Sequence, residues 1–181
     1  MRFTTMLILA ASTAILTGCA PAVSIHPLYT TQDLASDLPL EGTWAETDTG
    51  IWHAAKSGDG YDVTLLHTDA SLTTEAYNVH LLRLKDADFL DVTSKSDAGL
   101  GITGHLLAKV WLEGDELRAA LLDDAWLKKT LAAGLALPFV KGEGEQIILT
   151  APTSSLQRFI LLHAADPDAW DANAAKFHRL R

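Results

Sequence analysis

Alternation of apolar and polar side chains dominates the middle of the chain. YDVTLLHT (Tyr61 to Thr68) sets Tyr61, Val63 and Leu65 against Asp62 and Thr64, the period-two pattern of a half-buried strand. EAYNVHLLRL (Glu75 to Leu84) does the same, with Tyr77, Val79 and Leu81 on one face and Asn78 and His80 on the other. GTWAET (Gly42 to Thr47) and IWHAAK (Ile51 to Lys56) are shorter, carry β-favouring tryptophans and flank a DTG turn. SGDG (Ser57 to Gly60) predicts a hairpin turn, because Asp-Gly accommodates positive φ. KDAD then turns the chain into a further strand, FLDVTSK (Phe89 to Lys95).

Beyond a Gly/Ser-rich loop the alternation fades. HLLAKVWLE (His105 to Glu113) and ELRAALLD (Glu116 to Asp123) flank a Gly114-Asp115 turn, yet Leu, Ala, Lys and Glu favour helix. Glu116 to Leu131 reads either as one helix or as a strand followed by a helix. The second reading is preferred, since Asp123 and Asp124 suit an N-cap for DAWLKKTLAAG, which stops at Gly134. EQIILT (Glu145 to Thr150) predicts a short buried strand. Ser154 to Gln157 has the capping-box spacing, opening a helix with Leu156, Ile160, Leu161 and Ala164 inward. Asp166-Pro167 predicts a second short helix to about Ala174, and FHRL (Phe177 to Leu180) a closing strand. Many short strands, a helical insertion and C-terminal helices predict a mainly β (α+β) domain built on a small antiparallel barrel.

The first 40 residues follow another logic. Arg2 precedes an uncharged apolar run, Leu7 to Leu16, and small residues lead to Cys19. The run is too short to span a bilayer, which takes about 20 apolar residues, and reads as an export signal. LTGC (Leu16 to Cys19) resembles the bacterial lipobox, which implies cleavage before Cys19 and acylation of that cysteine. A soluble secreted protein with an incidental Cys19 is the alternative. Ala20 after the cysteine implies the outer membrane, where aspartate would imply inner-membrane retention. Residues 1–18 are thus expected to be the signal peptide and 19–39 the lipidated N-terminus and tether, extended by Pro21, Pro27 and Pro39. Residues 40–181 are expected to form one domain. Cys19 is the single cysteine, so no disulfide can form within the chain and the domain must rest on core packing.

Composition narrows the partners. The net charge is −9 with no Lys/Arg cluster, which argues against nucleic acid and against electrostatic attraction to anionic lipid. Attachment to the membrane is therefore expected through the covalent lipid on Cys19. Apolar residues make up 48% of the chain, enough for a core without metals or disulfides.

Two further resemblances bear on the barrel. Gly42-Thr43-Trp44 resembles the G-x-W that begins a lipocalin barrel. That likeness implies a tryptophan closing one end and packing against an arginine near the last strand, here Arg179 or Arg181. The late helices and the missing cysteine pair depart from the lipocalin pattern. HPLYT (His26 to Thr30), Asp33 and Leu40 to Trp44 together resemble the junction of bacterial lipoproteins of unassigned function.

Candidate chemistry is sparse. GLGITG (Gly99 to Gly104) fits G-x-G-x-x-G with Asp123 and Asp124 downstream, but no strand–helix unit surrounds it, and it reads as a loop. The seven histidines form neither H-x-H nor H-x-x-x-H; a cross-strand set of His67, His80 and His105 is the one metal arrangement considered, and no metal is expected. Asp86, Asp88 and Asp91, like Asp166, Asp168 and Asp171, lack the spacing of a calcium loop and read as turn and cap residues. No nucleophile motif is present, and neither catalysis nor a cofactor is expected. The aromatics are the remaining group. Trp44, Trp52, Tyr61, Tyr77 and Trp111, with Phe89 and Trp126, are core candidates that would line any barrel cavity. Two functions follow: a structural or protein-interaction module of the envelope, which is preferred, or a barrel that binds a small apolar ligand.

Overall fold

The tryptophan-bearing segment at the start of the domain and FHRL at its end are neighbours in one sheet, Arg179 pairing with Trp44 and Phe177 with Glu46. That pairing closes a barrel in the computed structural model, which describes residues 21–46, 50–68, 72–95, 103–172 and 174–181. In chain order the elements are β1 (Val23–Ser24), β2 (Gly42–Glu46), β3 (Gly50–Ser57), β4 (Gly60–His67), β5 (Thr74–Leu84), β6 (Ala87–Ser94), β7 (Leu106–Glu113) and β8 (Glu116–Leu121). They continue with α1 (Asp124–Ala132), β9 (Phe139–Lys141), β10 (Ile147–Leu149), α2 (Thr153–His163) and β11 (Ala175–Leu180). Eight strands form the closed, antiparallel, lipocalin-like barrel in the order β11-β2-β3-β4-β5-β6-β7-β8. A separate three-stranded sheet, β1-β10-β9, lies outside it.

Alternation decides which side chains point inward. Trp44, Tyr61, Val63, Val79, Leu81, Leu90, Val110, Leu117 and Phe177 share one buried cluster inside the barrel. A second core lies on the outer wall, where Leu82, Leu84, Phe89, Leu107 and Ala120 meet Leu127, Leu156, Phe159, Ile160 and Trp170. Strands β5 to β8 therefore carry apolar residues on both faces, which explains why the alternation fades there and why Glu116 to Leu131 could also be read as one helix. The preferred split of Glu116 to Leu131 holds: β8 ends at Leu121, and Asp123 caps α1, its carboxylate accepting from Trp126 N at 2.6 Å. In the first hairpin Ser57 pairs with Gly60 as the turn signal predicts, but the positive φ (57°) falls on Gly58 and not on Asp59-Gly60.

Three expectations are corrected. The proposed capping box is not formed: α2 begins at Thr153 behind Pro152, without a side-chain cap. Thr153 Oγ1 instead donates to Pro27 O (2.8 Å), and Gln157 Nε2 to Leu28 O (2.9 Å) and Asp33 Oδ2 (2.8 Å). The second C-terminal helix shrinks to one 3-10 turn, Pro167–Ala169, because Trp170 leaves the helical region to bury its ring against Phe89 (5.6 Å between centres).

The third correction concerns the tether. Residues 21–39 are not a free spacer but a strap along the barrel wall. Ser24 exchanges backbone hydrogen bonds with His105 (2.9 and 2.8 Å), Leu28 is fully buried, and Ala35 N donates to Leu81 O (2.9 Å). The folded body therefore begins well before Leu40. Among the described residues, no helix is long and apolar enough to cross a membrane.

Candidate functional site

The barrel is filled unevenly. Around Trp44 it is solid: the indole is fully buried, its Nε1 donates to Leu40 O (2.9 Å), and Tyr61 and Leu117 pack beside it. Toward the end where β2–β3, β4–β5 and β6–β7 connect, a cavity of about 240 Å³ opens between the walls. Its lining is the inward set of the strands: Trp52, Val63, Leu65, Val79, Leu90, Val92, Ala108, Ala119 and Phe177, with Glu46 and Tyr77 supplying polar atoms. Trp52 and Phe177 meet with ring centres 4.4 Å apart and form one wall. Small side chains at Ala108, Ala119 and Ala175 leave the space that larger residues would fill.

Polar groups cluster at the mouth. The Tyr77 hydroxyl donates to the Glu75 carboxylate, and His67 Nε2 lies 3.6 Å from the other oxygen of Glu75. Burial, then the hydrogen bond to Glu75, push the Tyr77 phenol up to about 12. Glu46 enters the cavity wall from β2, one inward position beyond Trp44. An apolar chamber under a small polar ring suits a slender ligand with a polar end.

The aromatic residues singled out in the sequence divide into three places. Trp52 and Tyr77 line the cavity. Trp44 and Tyr61 belong to the solid half, the Tyr61 hydroxyl facing Leu38 O at 3.5 Å, and do not line the cavity. Trp111 points outward, held between Lys109 (4.8 Å) and Arg118 (5.1 Å), because the parity of β7 sends Ala108 and Val110 inward instead. Phe89 and Trp126 lie with Trp111 at the outer core. The residues that sequence reasoning missed are the alanines and Glu46; strand parity alone would have marked them as inward-facing.

No family model, curated protein or solved structure matches the chain. Function must therefore be read from geometry alone.

The remaining candidates are scattered. His67 sits at the mouth, His80 stacks on Tyr29 (4.3 Å) on the outer wall, and His105 pairs with Asp91. Among the described residues no group of three or more His, Cys, Asp or Glu could hold a metal. Asp91 corrects an expectation, being neither a turn nor a surface residue but fully buried. Its carboxylate meets His105 Nδ1 at 2.6 Å and accepts from Leu28 N at 2.7 Å. This acid–imidazole pair has a serine nearby in Ser24, but that hydroxyl donates to His26 O (2.7 Å), so the group latches the strap to the wall. Asp88 pairs with Arg83 (2.7 Å), which also reaches Asp37 of the strap (2.7 Å). Asp166 caps the turn at Asp168 N (3.0 Å). Cys19 and most of GLGITG, Gly99 to Ile102, lie outside the described residues.

Proposed function

We propose that the chain is a lipid-anchored protein of the bacterial cell envelope, held at the outer membrane through Cys19, whose barrel binds one small apolar ligand without catalysis. The observation that carries this reading is the chamber of about 240 Å³ walled by apolar side chains at one end of an otherwise filled barrel. It lies just below the roughly 300–1,000 Å³ of pockets that take drug-sized ligands, which favours a narrow ligand over a bulky one. The same chamber sets this reading ahead of a purely structural module, for which a barrel filled throughout would serve. Native mass spectrometry of the full chain tests it: a co-purifying small apolar molecule, lost when Ala119→Phe fills the chamber, supports the reading, and a bare chain that takes up no apolar compound refutes it.

The interaction reading rests on β9. This edge strand of the outer sheet is exposed along its whole length, with Phe139 and Val140 facing solvent. Such an edge accepts a strand from another protein. A partner captured by the wild-type chain and lost with Lys141→Pro, which removes an N–H from the open edge and leaves the Val140–Ile148 pairing with β10 intact, would support it.

A further inference from the structure

We propose that the cavity mouth faces the bilayer to which Cys19 tethers the chain, and that the cavity takes the end of one acyl chain from that bilayer. The inference rests on the ligand-binding reading above and on acylation of Cys19, and it names the ligand and the direction from which it comes.

The course of the strap carries the argument. Ser24 is bonded to His105, the residue immediately before Leu106, and Leu106 lines the cavity. A Cβ on Gly104 would lie 3.5 Å from Val23, so this junction is close-packed. From there the strap runs away from the mouth. Leu28 N reaches Asp91 midway along β6, and Asp33 O accepts from Arg83 N (2.8 Å) near the filled end, where β2 then begins. The chain thus enters the fold at the mouth. Cys19 lies four residues before Val23, a span of at most about 14 Å for extended chain. A lipid on Cys19 holds the mouth, and not the filled end, against the membrane.

The mouth has the surface such a position needs. Leu66, Leu72 and Leu121 are exposed there by 37%, 69% and 37%. Leu121 also lines the cavity, so the apolar surface is continuous from rim to interior. Leu72 holds φ at +47°, a conformation that non-glycine residues rarely adopt. With a net charge of −9, contact with lipid must come from these apolar groups, as anionic headgroups would repel the chain. Tyr77, Glu75 and His67 form the polar ring at the depth where headgroups would lie. The chamber is too small for a whole lipid but accommodates a chain end.

Trp52 in the cavity wall provides the test. The full chain, processed in a bacterial host, is reconstituted into vesicles of phosphatidylcholine brominated along one acyl chain, and its tryptophan emission is recorded. The proposal expects bromolipid to quench the emission, Trp52→Phe to remove the larger part of the quenched signal, and the exposed-site variant Leu72→Glu to weaken it. Absence of quenching, or quenching indifferent to both substitutions, overturns it. A short brominated alcohol, added to the chain in unlabelled vesicles, separates the two readings. If the alcohol quenches Trp52 and bromolipid does not, the cavity binds apolar ligands but does not face the bilayer. If neither quenches, both readings fall. An intact mass without acyl groups on Cys19 overturns the inference at its root.

Discussion

The guanidinium of Arg179 lies 4.2 Å from the centre of the Trp44 ring, the two residues facing each other across β11 and β2. Arg179 Nη1 donates to Glu41 O (2.7 Å), and Nη2 donates to Pro39 O. Gly42 makes room for this clamp: its φ is +133°, and a Cβ there would lie 2.6 Å from Arg179 Nη1. One cation therefore covers the filled end of the barrel and ties the first strand to the last. Arg181, also considered for this role, is 84% exposed and pairs with Asp115 instead.

Arg179→Lys is expected to destabilise the fold by about 1–3 kcal/mol, because a lysine cannot stack on the indole and serve two carbonyls at once. Arg181→Ala should stay within about 0.5 kcal/mol, as exposed ion pairs contribute little. Urea denaturation of both variants checks this, and equal losses would remove the clamp from the account.

The Asp91 latch makes a separate prediction. Asp91→Ala leaves the Leu28 amide and the His105 ring without their buried acceptor, at a cost of roughly 1–3 kcal/mol for each orphaned group. The strap should then open before the barrel does, exposing residues 21–38 to protease while the remainder resists. Limited proteolysis read by mass spectrometry tests this. Asp91→Asn retains an acceptor for Leu28 and should be cut more slowly than Asp91→Ala.

Much of this was legible in the sequence, and the failures have physical causes. The alternation of Tyr61, Val63 and Leu65 marked an inward face because β4 is polar on its other side. GTW and FHRL marked the closing strands, and Asp123 the helix cap. The strap was misread because its hydrogen bonds go to partners far along the chain, Leu28 to Asp91 and Thr153 to Pro27, which no local pattern encodes. Three prolines that suggest a spacer instead keep an extended strap from competing for helix. Trp111 was placed in the cavity because its aromatic type was weighed above its parity, and β7 is apolar on both faces. The chamber itself was invisible, since it arises where small residues, Ala108, Ala119 and Ala175, fall side by side on the neighbouring strands β7, β8 and β11, a grouping that only the strand register creates.

Alkaline titration should be unusual. All three tyrosines are held above their ordinary value of 10: Tyr29 and Tyr61 by burial first, and Tyr77, at about 12, by burial and then Glu75. A raised folded-state value means the protonated phenol is favoured in the native state. Its contribution to stability is complete below pH 10 and is lost as pH rises through about 12. Phenolate absorbance should therefore develop later than for free tyrosine, and Tyr77→Phe should remove its latest part. A folded chain that shows an ordinary tyrosine curve would contradict the half-buried, Glu75-bonded phenol at the mouth.

The chamber is the central claim, and titration with a neutral, fluorescent naphthylamine probe tests it most directly. The full chain should bind the probe at one saturable site, and Ala119→Phe should lose that binding while unfolding at the same or higher urea concentration, since the added ring occupies empty space. Equal binding by the wild type and a folded Ala119→Phe variant, or no saturable binding by either, would contradict the account.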